Sequence, residues 1–99
     1  MRVSLETDRG QIKLNPFVER LTGNLLSGVL ESLHVPEEAP VAEFVVNGGG
    51  ARIVVSQKEI PLINAFVKNV LADILHVVMK NLKGTDGVTQ ATFRLDRGV

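Results

Sequence analysis

Two stretches of this sequence echo each other at a fixed distance of 49 positions. Asn15-Pro16-Phe17-Val18 returns as Asn64-Ala65-Phe66-Val67, and Leu25, Leu26, Val29 and Leu33 return as Ile74, Leu75, Val78 and Leu82. Phe44 and Phe93 keep the same offset, so the four phenylalanines form two pairs. A chain written this way is expected to fold as two copies of one unit, at about residues 2–47 and 51–96, within one domain of 99 residues.

Each unit can be read from local pattern. Val3-Ser4-Leu5-Glu6-Thr7 alternates apolar and polar, as a strand with one buried face does. Asp8-Arg9-Gly10 reads as a turn, and Gln11–Leu14 as a short extended approach that can pair back on the first strand. Asn15 suits a helix N-cap, and Pro16 suits the first helical position, where its missing N–H costs nothing. Phe17, Val18, Leu21, Leu25, Val29 and Leu33 then recur at helical spacing, with Arg20, Asn24, Ser27, Glu31 and His34 on the other side. This helix is expected to end before Pro36, with Val35–Pro40 as a connecting loop.

Val41–Val46 is the second strand, with Ala42, Phe44 and Val46 on one face. Asn47-Gly48-Gly49-Gly50 is a strong turn signal, and Ile53 and Val55 mark the buried face of the third strand. Antiparallel partners must share a face. Setting Phe44 opposite Ile53 puts Val46 opposite Ala51 and leaves Gly48-Gly49 as a two-residue turn. Gln57–Pro61 follows as a turn and a short extended piece, then a helix from the Asn64 cap to about Lys83, stopped by Gly84. Val88–Asp96 closes the sequence as a strand with Ala91, Phe93 and Leu95 facing inward.

The order strand-helix-strand, repeated, predicts an α+β fold of ferredoxin-like architecture: an internally duplicated βαβ-βαβ chain. Its antiparallel sheet would run 4-1-3-2 with two helices on one face. That order places Glu6 beside Arg94 and Glu43 diagonal to Arg52, and all four phenylalanines are expected in the core. Phe66→Ala is then expected to cost about 3–5 kcal/mol, and Lys80→Ala little. An alternative makes each unit a β-hairpin followed by a helix and a strand, which adds Gln11–Leu14 and Glu59–Leu62 as short strands.

Composition narrows the function classes. Eleven basic residues balance eleven acidic ones, which is not the charge footprint of a nucleic-acid binder or a membrane-surface protein. The sheet's open face also lacks aromatics for stacking bases. There is no cysteine, hence no disulfide framework and no thiolate site. The residues after Met1 do not read as a signal peptide, and Lys68, Asp73 and Lys80 interrupt the longest apolar run. A cytoplasmic location is the expectation. With 44% hydrophobic residues but only four aromatics, the core must be largely aliphatic.

No pattern specifies catalysis. Glu31-Ser32-Leu33-His34 and Asp73-Ile74-Leu75-His76 have a spacing used in di-metal helix bundles, but they are not at equivalent repeat positions. Their histidines lie on the polar stripes, so they read as solvated surface. The glycine run is followed by a strand and lacks the Lys-Ser/Thr of a phosphate loop. Asp8-Arg9-Gly10 is a poor match to the arginine-bearing loop of acylphosphatase-type enzymes, and Glu37-Glu38 reads as loop surface. No catalytic, metal or cofactor-binding residue is expected, and no cofactor.

The second helix carries the one functional pointer. Its polar positions, Asn69, Asp73, His76, Lys80 and Lys83, form one narrow stripe, and almost everything else is apolar. A helix on one sheet needs an apolar arc only a little over ~100° wide. The surplus is buried either against the first helix within the chain or in a partner. Gly23 and Gly28 in the first helix would permit a close helix approach. Val67, Val70, Leu71 and Val78 are the candidate interaction residues. The expected function is a non-enzymatic, homo-oligomeric interaction or assembly module, with a second copy or another protein as partner and neither nucleic acid nor membrane. The alternative is a small-molecule-binding regulatory domain with its pocket between helices and sheet or at a dimer seam.

Overall fold

The computed structural model describes residues 1–35, 41–48, 50–61, 64–85 and 87–98. The 36–40 part of the expected loop (with Glu37 and Glu38), Gly49 of the glycine turn, and Leu62 and Ile63 before the second helix lie outside the described residues. The elements are β1 (Arg2–Thr7), β2 (Gly10–Ile12), α1 (Pro16–Ser32), β3 (Val41–Asn47), β4 (Gly50–Val55), β5 (Lys58–Ile60), α2 (Ala65–Lys80) and β6 (Gln90–Asp96). All six strands form one antiparallel sheet in the order β2-β1-β6-β3-β4-β5.

The four long strands therefore run 1-4-2-3, not 4-1-3-2. The reason is hydrogen-bonding capacity. A 4-1-3-2 sheet needs both edges of its first strand and both edges of its third. Here β2 folds back on β1 through a two-residue turn, with Thr7 opposite Gly10. The Thr7 hydroxyl donates to the Gly10 carbonyl at 2.7 Å and accepts from the Arg9 N–H at 3.0 Å, and Gly10 takes a φ of 112° that disfavours a side chain. In the same way β5 occupies one edge of β4, with Val55 opposite Lys58. Each long strand so engaged keeps one free edge. β6 then sits between β1 and β3, and β3 between β6 and β4. The hairpin-helix-strand arrangement is the one observed, with its short strands at Gly10–Ile12 and Lys58–Ile60.

The β3–β4 register matches the parity argument: Phe44 faces Ile53, Val46 faces Ala51, and Asn47 faces Gly50. One cross-strand row, Leu5–Phe93–Phe44–Ile53, runs through the middle of the sheet's inner face and is fully buried. Val3, Leu95, Ala42 and Val55 form the next row. Leu26 and Leu30 of α1 and Leu71, Leu75 and Met79 of α2 close the core from the same side. On the outer face, Glu43 lies opposite Arg94 and Glu6 opposite Thr92. Arg52 pairs across the hairpin with Glu59 at 3.8 Å, not with Glu43.

Both helices start at their asparagine caps. The Asn15 side chain accepts from the Val18 N–H and that of Asn64 from the Phe66 N–H, each at 2.8 Å. α1 ends in a Schellman turn: His34 adopts φ 59°, its N–H donates to Glu31, and the Val35 N–H donates to Leu30. α2 ends at Lys80, three residues short of the expected Lys83. The Thr85 hydroxyl bonds to the Met79 and Leu82 carbonyls beyond it.

One expectation fails clearly. Phe44 and Phe93 are buried, but Phe17 and Phe66 are 69% and 72% exposed. Steps of four residues overshoot a helical turn by about 40° each, so a row of them winds round the helix. Phe17 stands nine residues before Leu26, two and a half turns, and hence on the opposite side of α1; Phe66 stands in the same relation to Leu75 on α2.

Candidate functional site

The outer side of the helical layer holds the exposed apolar surface. On α1, Phe17, Leu21 and Leu25 follow one another at four-residue steps, and all are exposed. On α2, Phe66, Val70 and Val77 are exposed along the equivalent line, with half-buried Ile74 among them. Between the C-terminal half of α1 and the N-terminal half of α2 lies a groove of ≈ 450 Å³. Leu25, Val29 and Leu33 wall it on one side, and Phe66, Val70 and Ile74 on the other.

Gly28 opens this groove. A Cβ placed there meets nothing within 4 Å. Gly23 differs: its Cβ would come within 3.2 Å of the Val3 side chain and closer still to the end of Met1. The close approach that Gly23 allows is thus to β1 and the N-terminus, not to a helix. The groove's polar wall group, the Ser32 hydroxyl, already donates to the Gly28 carbonyl at 2.8 Å. The other end of the helix pair has a second hollow, lined by Val18, Leu82 and Asn81, counterparts of Val67, Leu33 and Ser32. Lys13 and Lys83 also line it, so unlike the first groove it carries charge.

Of the four residues expected to make contacts, Val70 is exposed on the groove rim and Val67 is half-buried in it. Leu71 forms part of its floor and is 1% exposed, committed to the sheet. Val78 is half-buried against the core and away from this groove. Pattern reasoning missed Phe17, Leu21 and Phe66 as surface residues. The signal was present in the winding of a four-residue row away from Leu26 and Leu75.

The other polar candidates do not line this groove. Glu31, His34, Asp73 and His76 are all exposed, and no group of three potential metal ligands occurs among the described residues. Asp8 ties the β1–β2 turn to the start of β6: its carboxylate accepts from the Thr89 hydroxyl at 2.8 Å and from the Thr89 and Gln90 N–H groups at 3.1 and 3.2 Å. The Thr89 hydroxyl, helped by these backbone donors and partly opposed by desolvation, holds the carboxyl below its ordinary value. Beside it the Arg9 Nε donates to the Gly87 carbonyl at 3.1 Å. No helix among the described residues is long and apolar enough to cross a membrane.

No protein family matches the chain, and neither a curated protein nor a solved structure resembles it significantly.

Proposed function

We propose that this protein is a non-enzymatic interaction module that self-associates through the outer faces of α1 and α2. The observation that carries this reading is the exposure of Phe66 on the wall of an apolar groove and of Phe17 farther along α1. With Leu21, Leu25, Val70 and Val77 they present on the order of 600 Å² of apolar surface, taking an aromatic side chain as ~200 Å². That approaches the ~800 Å² per partner of a standard interface, itself about a tenth of a small protein's surface. The whole chain exposes 6400 Å². A patch of this size lies at the upper end of what monomers expose, where such patches are often functional. Sedimentation equilibrium should show a concentration-dependent dimer, and a strict monomer at the highest soluble concentration would exclude the reading.

A ligand-binding regulatory domain is the second reading, because the groove's volume falls in the range of small-molecule pockets. Against it stands the groove wall, whose Ser32 hydroxyl is already spent within its own helix. A thermal-shift screen with aliphatic and aromatic metabolites tests it.

We also infer that the chain is an internal duplication of a β-β-α-β unit. In support, α1 and α2 begin 49 residues apart, at positions 16 and 65, and β3 and β6 at positions 41 and 90. The sheet order β2-β1-β6 followed by β3-β4-β5 reads the same from either end when the two units are exchanged.

A further inference from the structure

We propose that the second copy docks with its α1 antiparallel across α1, and that each Phe17 seats over Gly28 of the partner subunit. The inference rests on the self-association reading and names the geometry of the contact. Along its exposed side α1 presents Phe17, Leu21, Leu25 and Gly28, a row that begins with its largest side chain and ends with none. Such a tapered row complements itself only when reversed. A two-fold axis passing between positions 22 and 23 sets Phe17 level with the partner's Gly28 and Leu21 within one residue of the partner's Leu25. Both contacts occur twice, because the interface of a two-fold dimer is isologous. A parallel pairing would stack phenylalanine on phenylalanine and leave the notch at Gly28 empty, where a Cβ would find open space.

The other helix does not offer this fit. The residue of α2 equivalent to Gly28 is Val77, so its row is bulky at both ends. Phe66 is also already used as a wall of the groove. Phe17 lines no part of that wall and is the knob left for the neighbouring molecule. A Phe17 ring in the groove also lies beside Phe66, so the contact recruits the exposed patch of α2. The apolar surface available is near what a stable dimer requires, and a second copy matches it in size and in chemistry.

Three variants and a cross-link test the geometry. Phe17→Ala should weaken self-association by about a hundredfold or more, as an aromatic anchor lost twice per dimer does. Gly28→Leu should weaken it comparably by filling the notch, while the chain keeps its circular dichroism and melts no lower than wild type as a monomer. Phe66→Ala should weaken it less than Phe17→Ala. Because the sequence contains no cysteine, an oxidised mixture of Leu21→Cys and Leu25→Cys chains should yield a covalent heterodimer far faster than either chain alone. A dimer that tolerates Gly28→Leu and gives no cross-link overturns this pairing while leaving self-association intact. A wild-type chain that stays monomeric overturns both, and stabilisation of that monomer by aliphatic small molecules would assign the groove to a ligand.

Discussion

Phe66 and Phe93 carry the same ring, and both sit at repeat positions, yet they stand to lose very different amounts on truncation. Phe93 lies between Leu5 and Phe44 in the central row of the sheet, with no exposure. Phe93→Ala should cost about 3–5 kcal/mol, the transfer term plus a cavity the surrounding strands cannot close. Phe66→Ala in dilute monomer should cost about 0.5 kcal/mol or less, as surface substitutions do. Urea denaturation of the two variants at low concentration measures the contrast, and equal losses would contradict the placement of Phe66. Strand residues were legible here because a period of two repeats without drift: Ala91, Phe93 and Leu95 all fell inward as read. Helix residues were less so, since a row at four-residue steps leaves the buried face within two turns. Asp8 gives a second test at this scale. Its folded value lies below the ordinary 3.8 because the Thr89 hydroxyl and the Thr89 and Gln90 N–H groups favour the carboxylate. Its stabilising contribution is therefore complete above pH 3.8 and is lost as the pH falls through the lower folded value. Asp8→Asn should be less stable than wild type near neutrality, and thermal melts across an acid series should show the gap closing in that window.

The two short hairpin strands decide the sheet, and they are the elements least legible in sequence. Gly10–Ile12 and Lys58–Ile60 have three residues each, too few for an alternating pattern to register. Their effect on the topology is out of proportion to their length, because each occupies an edge that a long strand would otherwise offer. The β4–β5 hairpin turns through Ser56 and Gln57, both at positive φ, 51° and 67°. Two consecutive left-handed residues make a type I′ turn, which matches the twist of the flanking strands but disfavours these side chains. Replacing the pair by Asn-Gly should stabilise the protein by on the order of 1 kcal/mol, since asparagine tolerates this conformation and glycine pays no steric penalty in it. A rise in the urea midpoint with an unchanged slope is the expected result. An unchanged midpoint would mean that the turn is not of this type.

At the scale of the whole molecule the two halves interleave. Within the first half the described pairing is β1 with β2 alone, and within the second it is β4 with β5 alone. The other three ladders cross between halves: β1 with β6, β3 with β6, and β3 with β4. The fully buried row Leu5–Phe93–Phe44–Ile53 takes two residues from each half, so neither half owns a core. A chain cut between Gly48 and Gly49 gives two pieces, each shorter than the ~60 residues at which a domain becomes marginal on its own. Residues 1–48 and residues 49–99 should each lack a folded monomeric state, with flat thermal transitions and poor dispersion of amide resonances. Mixed in equal amounts, they should recover the sheet, because the cut falls between the paired residues Asn47 and Gly50 and leaves all five ladders intact. Recovery should depend on concentration, since the turn no longer supplies the second half as a tethered partner. Either piece folding alone as a monomer would contradict the interleaved order. That order is also why two halves whose sequences echo each other are not expected to act as two independent folding units.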